Sequence, residues 1–575
     1  MTTTKSYDYL NRLTRISTLD SGLRTLDSHT YNYNNANQRT RATLADGSYW
    51  LYQYDSLGQV ISANKYWSDE TPVAGQHFDY TFDNIGNRTQ IQAGGDQNGG
   101  YLRTANYTNN TLNQITTRDV PGYVDIKGVS FATNTVTVNG QTAYRKVEYF
   151  RDELGVNNSS SALWTNLIVA ATGQTSVTGN VFVAQTPEQF SYDADGNLTN
   201  DGRFTYTWDA ENRLINLTSL TNAPAGSKVK LDFAYDAKGR RIQKIVSTWN
   251  GSAYVPQSTN KFVYDGWNLT AEVAPNNSLV RSYIWGNDLS GSPQGVGGVG
   301  GLLEVSRYGF TTTNCFVAYD GNGNVMALIN AADGTATAQY DYDSFLGVVR
   351  ATGPMAFTNV MLGSTKYYDW ESGLYYYGHR YYKPSTGTWP NRDPIEELSF
   401  LRSYVKLLSP KDRYAMSVRS PSGNESVFIQ NDPEDKFDVL GLCPAGTCDK
   451  WTINVTMVTG GGSAVVILDV WATLTADPKC CIYPESENYR YLGYGLGGGG
   501  ALSYTYGGSD TFTTGCIPWS AHNGIGNVTE YGFGLYRVFE VIDFVTPRAS
   551  FRTSHLVPGF SAGFLWTAGY WWVIN

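Results

Sequence analysis

Charge is scarce in this chain. Only 16% of its 575 residues are Asp, Glu, Lys or Arg, against 14% aromatic. That balance does not suit a helical bundle. No run of 18 apolar residues occurs, so no transmembrane helix is expected. The amino terminus, from Met1 to Leu10, lacks an apolar signal region. The expectation is a protein secreted or displayed by a dedicated export route, or the tail of a longer chain. Because the sequence opens inside a repeat, the second is favoured. No basic run offsets the net charge of −9, so no nucleic-acid binding is expected of the main body. No Ser or Cys stands in a nucleophile-elbow motif, which removes that class of hydrolase. None of the six cysteines has C-x-x-C spacing, which leaves a zinc site without support, and no metal or cofactor is expected. Cys315 stands alone. Cys443, Cys448, Cys480, Cys481 and Cys516 lie in the last 133 residues (575 − 442), where disulfides are expected if that region reaches an oxidising space.

Tyrosine and glycine are abundant, with 42 and 60 copies. Aromatic strand formers mixed with turn formers point to β structure. The length calls for two or more domains. A four-residue unit recurs: Asp, two variable residues, then Gly or Asn. It appears at Asp8–Asn11, Asp55–Gly58, Asp83–Gly86, Asp193–Gly196, Asp209–Asn212, Asp236–Gly239, Asp265–Asn268 and Asp320–Gly323. Tyr precedes the Asp at Tyr54, Tyr192, Tyr235, Tyr264 and Tyr319. Hairpin chemistry explains the pattern. The Asp carboxylate accepts backbone amides of its own turn. Gly or Asn at the fourth position tolerates the positive φ of a type I turn with a G1 bulge. Strands flank the turns: Phe204, Tyr206 and Trp208 alternate with Arg203, Thr205 and Thr207.

These units, together with the segment GLYYYGHRYYKPSTGTWPNRDPI from Gly373 to Ile395, resemble the RHS/YD-repeat family: rearrangement-hotspot proteins, the C components of insecticidal toxin complexes, and teneurins. The glycine-rich stretch from Tyr283 to Leu303 and the Tyr319-Asp320 and Tyr340–Asp343 repeats fit the same resemblance, which covers about residues 1–442. It implies an all-β fold, a spiralling antiparallel YD-repeat sheet forming a cocoon-like shell, with a core plug and a separate β-rich C-terminal domain. The expected boundaries are 1–119 and 190–363 for the shell, 120–189 for an inserted β-subdomain or irregular repeats, 364–442 for the RHS-associated core, and 443–575 for the variable domain. In the 120–189 region, Asp125–Gly128 and Asp152–Gly155 keep the spacing without the Tyr.

The resemblance also implies an aspartyl-type self-cleaving site. Its members here are Arg380 of Arg380-Tyr381-Tyr382, Asp393 of Asp393-Pro394-Ile395, and Asp438 of Asp438-Val439-Leu440-Gly441-Leu442. Cleavage is implied between Leu442 and Cys443. The residue types suit the reaction. Two close carboxylates share a proton, so one can act as base toward water while the other donates to the scissile carbonyl. A guanidinium can hold and orient them. The bland alternative is that both aspartates cap turns and Arg380 pairs with one of them. The stretch 396–430 is longer than the family pattern. If it loops out the site survives, and if it displaces Asp438 the site is lost. His379, beside Arg380, reads as a partly exposed polar ring in an aromatic strand rather than a catalytic residue.

Residues 443–575 change character, with glycine clusters and the aromatic end Phe564, Trp566, Tyr570, Trp571 and Trp572. They read as a compact antiparallel β-domain. His522, Glu530, Arg552 and His555 are polar candidates there, read as structural. The family resemblance implies that a segment at this position is the effector, with membrane contact or a glycan or cell-surface target left open. The partners that go with an effector are a cognate immunity protein and delivery machinery. The rival reading is a non-catalytic adhesion or carbohydrate-binding module with a structural core plug.

Overall fold

The structure, a computed structural model, describes residues 1–394 and 427–438, and from 444 to 574 the backbone of the strands. The chain divides into two compact units, Met1–Phe400 with Ser422–Leu442, and Leu401–Pro421 with Cys443–Asn575. Among the described residues there is no α-helix. The first unit holds an 11-stranded and a 14-stranded sheet in which strands pair almost entirely in sequence order, all antiparallel. The chain leaves the edge of the first sheet at strand Glu188–Gln189 and enters the second at Ser191–Tyr192. In the second unit the strands form one eight-stranded antiparallel sheet.

The repeated turn is built by its Asp. In the hairpin at Asp236, Gly239 N–H donates to Asp236 O (3.0 Å) and Asp236 N–H to Arg240 O (2.9 Å). The carboxylate accepts the amides of Lys238 and Arg240, both at 2.9 Å, and Arg240 Nε at 2.8 Å. Asp55, Asp193 and Asp320 repeat the arrangement with Gln59, Asn197 and Asn324 as the closing side chains. The fourth position has positive φ at Asn11, Gly58, Gly86, Gly196, Asn212, Gly239 and Gly323. Asp265–Asn268 departs from this. Asp265 and Asn268 pair directly, and Gly266 takes the positive φ in a two-residue loop. Glycine at the second position makes that shorter turn accessible. Asp125–Gly128 and Asp152–Gly155 lie within strands Tyr123–Val129 and Tyr149–Gly155 and form no turns.

The aromatic residue before the Asp ties each hairpin to the one before. Tyr54 OH donates to Arg39 O (2.7 Å), Tyr235 OH to Leu214 O (2.6 Å), Tyr264 OH to Arg241 O (2.9 Å) and Tyr342 OH to Val325 O (2.7 Å). Trp208 Nε1–H does the same to Leu198 O (2.7 Å). Each acceptor lies just beyond the preceding bulge, where the carbonyl has left the regular ladder. Tyr therefore fits this position because it packs its ring and satisfies a backbone acceptor at once.

Gly239 isolates the cost of the turn conformation. Its φ is +79° and a Cβ there would meet nothing within 4 Å. Gly239→Val is expected to lose about 1–3 kcal/mol from backbone strain alone. Gly239→Asn is expected to lose less, because Asn tolerates this region. Equilibrium denaturation of the two variants measures the difference, and an equal loss in both would remove the conformational explanation.

Between Arg118 and Glu188, which pair in the first sheet, the chain builds two small sheets of three and four strands. They enclose their own core of Val124, Ile126, Val136, Val138, Phe150 and Val183. The main core gathers alternate residues of both large sheets, such as Tyr31, Trp50 and Phe78 from the first and Phe204, Leu231 and Val317 from the second. A three-stranded piece, Tyr367–Asp369, Leu374–Tyr376 and Tyr381–Tyr382, packs into the same core. The sheets also meet directly through the buried Lys65–Asp341 ion pair at 3.0 Å.

Candidate active site

Three separate stretches converge beside that three-stranded piece. Arg380 ends a tight turn in which Tyr377 N–H donates to Arg380 O at 2.9 Å. Its guanidinium lies over the Trp389 ring, 4.1 Å from the centroid. Asp393 follows Pro390, whose carbonyl accepts Leu198 N–H at 2.7 Å and so fixes this stretch to the second sheet. Asp438 arrives on the stretch 427–438, which is held by both large sheets. Asn431 Nδ2 donates to Gln59 Oε1 (2.9 Å) and Gly86 O (2.7 Å). Arg39 Nη1 donates to Glu434 O (2.8 Å), and Asn322 Nδ2 to Pro433 O (2.9 Å).

The result is one guanidinium facing two carboxylates. Arg380 Nη2 is 3.0 Å from Asp393 Oδ2 and 3.8 Å from Asp438 Oδ2. The side chains of Arg380 and Asp438 are 3% and 2% exposed, and that of Asp393 is 13% exposed. The 396–430 stretch has therefore not displaced Asp438. In so dry a place carboxylates interact strongly with one another and with the cation. Leu442 and Cys443 lie outside the described residues, as do 395–426.

His379 is packed against Trp267, ring centroids 4.5 Å apart. Burial, then the charge of Arg380, pushes it down to about 3, so it is neutral at any ordinary pH. Sequence reasoning missed Lys366. It is buried, its Nζ donates to Gly297 O at 3.1 Å, and the Asp438 carboxylate acts on it. A signal existed: Lys366 is the lone charged residue between Met355 and Tyr368, a stretch otherwise apolar or neutral. Tyr377 was also missed; its ring meets Trp389 and Phe428 edge-on and walls the site.

A 210-residue stretch of the chain is similar to bacterial WapA nucleases. The tRNA3(Ser)-specific nuclease WapA of Bacillus spizizenii is 36% identical over it, which is 36% of this chain and 8% of that protein. The chain thus spans less than a tenth of that relative's length. The double-stranded DNA deaminase toxin A of Burkholderia cenocepacia is 26% identical over 243 residues, 38% of this chain and 16% of that protein. Among solved structures, TcdB2-TccC3 superposes with a TM-score of 0.34 at 15% identity, covering 76% of this chain and 21% of that one. No family model matches the chain.

Proposed function

We propose that the chain is the shell part of an RHS-type toxin carrier, and that it cuts itself between Leu442 and Cys443 to release residues 443–575 as the effector. One observation carries the cleavage reading. Arg380, Asp393 and Asp438, singled out by motif and 13 and 45 positions apart (393 − 380 and 438 − 393), meet within 3.0 and 3.8 Å in a buried site. The sequence similarity to WapA supports the carrier reading. The two relatives' names give different activities, and neither is assigned here to residues 443–575.

In this reading Arg380 stabilises the one negative charge that the two carboxylates share. The ionised member takes a proton from a water molecule, whose oxygen bonds to the Leu442 carbonyl carbon. The protonated member donates to the carbonyl oxygen, and on collapse the C–N bond breaks with the proton delivered to the Cys443 nitrogen. The scissile bond lies four residues beyond Asp438 on the same chain, so binding needs no second molecule. The partners that follow are a cognate immunity protein and delivery machinery.

Purified wild-type protein is expected to yield two bands, and Edman sequencing of the smaller is expected to begin at Cys443. A start elsewhere overturns the mechanism. A wholly uncut chain favours a non-catalytic surface module, in which Arg380, clamped by Asp393 and seated on Trp389, serves only to anchor the plug.

A further inference from the structure

At the third position of the repeated turn the side chain can face water: Leu10 is 70% exposed there and Leu57 68%. In the turn that begins at Asp320 the same position is Asn322, and it is 7% exposed. Its N–H donates to Asp320 Oδ1 at 2.9 Å, as the repeat requires. The partners of its side chain lie outside the turn. Nδ2 donates to Pro433 O (2.9 Å) and Glu434 O (2.7 Å), and Oδ1 accepts from Arg39 Nη1 (2.5 Å). An amide supplies donors and an acceptor together, which neither an apolar nor an ionised acidic side chain does.

Those partners join the turn, which belongs to the second sheet, to two distant parts of the chain. Arg39 comes from the first sheet. It also donates to Glu434 O through Nη1 (2.8 Å) and to the Asp435 carboxylate through its backbone N–H (3.1 and 3.2 Å). Pro433 and Glu434 belong to the stretch that ends in Asp438. The two sheets approach closely here. Gly321 N–H donates to Tyr31 OH at 2.7 Å, and a Cβ on Gly321 would come within 2.9 Å of Arg39 Nη2 and Leu13 Cδ2. The same turn holds the segment that leads into the three-stranded piece beside Arg380. Ser364 N–H donates to Asn324 Oδ1 (2.7 Å) and Thr365 Oγ1 to Gly323 O (2.8 Å). One turn thus registers the stretch bearing Asp438 against that segment, and its grip on the stretch is shared with a residue of the other sheet.

We propose that Asn322 is a positioning residue of self-cleavage: it clasps the stretch bearing Asp438 where the two large sheets meet, so that cutting waits until that seam is joined. This rests on the self-cleavage reading above. Asn322→Asp separates the two roles of the side chain. The carboxylate keeps an acceptor for Arg39, but it has no donor for the Pro433 and Glu434 carbonyls and repels them. Self-cleavage of the full chain is expected to slow by about tenfold to a hundredfold. A second readout does not depend on cleavage. In Asp393→Asn protein, amide hydrogen exchange is compared with and without Asn322→Asp. The amides of Phe428 and Lys436, which donate to Gly387 O and Asp432 O, are expected to exchange at least about tenfold faster. The Gly321 amide at the seam is expected to keep its protection. Asn322→Ala, which also lacks the donors, serves if the Asp variant does not fold. Wild-type cleavage in the Asp variant overturns the proposal. So does equal loosening of the stretch and the seam, which shows a merely structural joint. If the wild type is never cut, the cleavage reading falls, and the exchange alone decides whether Asn322 holds the stretch. Unchanged exchange at Phe428 and Lys436 shows that it does not.

Discussion

Asp393→Asn is expected to leave the chain uncut. Asn has the size of Asp and its Oδ1 can still accept from Arg380 Nη2, 3.0 Å away in the wild type, so the local fold is kept. What it removes, on the self-cleavage reading, is the proton-transfer function. Proton transfer by a placed group contributes roughly 10²–10⁴-fold, enough to turn complete cleavage during expression into none on the scale of a preparation. Asp438→Asn should do the same. The double variant should be no worse than either single one, because in the proposed mechanism the two carboxylates act as a unit. Arg380→Lys keeps a charge but cannot span both carboxylates with one planar group, so partial loss is expected. Mass spectrometry of the four proteins after a fixed incubation at neutral pH gives the answer. Normal scission in Asp393→Asn would remove the aspartyl mechanism whatever the distances are.

The architecture was legible where local chemistry dictates it. Asp236, Lys238, Gly239 and Arg240 make a complete turn from five consecutive residues, so the repeat could be read without a structure. The turn at Asp265 was misjudged because Gly266 offers positive φ two positions early, a choice that spacing alone cannot rank. Asp125–Gly128 shows the opposite failure, in which the right spacing sits in the middle of a paired strand. The candidate site was legible as residue identities, because each lies in a motif. Its closeness was not, since the stretch that carries Asp438 is held by anchors on Gln59, Gly86, Arg39 and Asn322, each more than a hundred positions upstream. Lys366 went unread for the same reason. Its meaning depends on the glycine-rich loop folding back on it, and no pattern within 361–368 announces that.

The largest stability effect is expected at Asp369. The carboxylate is fully buried and accepts from Arg241 Nη1 at 2.6 Å and Lys244 Nζ at 2.7 Å, while Lys244 also pairs with Glu371 at 2.7 Å. Arg241 is 1% exposed and ringed by aromatic faces: Tyr367, Tyr376, Phe262 and Phe233 lie 4.6, 4.7, 5.1 and 5.2 Å from its guanidinium carbon. These rings favour a cation but do not neutralise it. Asp369→Ala leaves two buried cations with only the partly exposed Glu371, and about 3–5 kcal/mol should be lost. Replacing Arg241, Lys244 and Asp369 together by apolar residues of similar volume should cost far less, because the burial cost of all three charges vanishes with them. The pH dependence follows from the direction of the shifts. Despite burial, the two cations hold Asp369 below the ordinary carboxylate value. Its contribution is therefore complete above about pH 4 and is lost as pH falls through its own lower value. Lys244 is raised by Asp369 and then Glu371 against the effect of burial, so its contribution is complete below about pH 10 and lost at higher pH. The network thus stabilises the fold across the whole neutral range, and Asp369→Ala should flatten the acid side of the wild-type profile as well as lower it. Tyr381 OH, which accepts from Arg241 at 3.3 Å, extends the network to the residue next to Arg380. Thermal melts of Asp369→Ala, the triple variant and wild type between pH 3 and 9 decide it. A loss below about 1 kcal/mol in Asp369→Ala, the range of an exposed pair, would show that the plug is held by its aromatic packing and not by this buried charge.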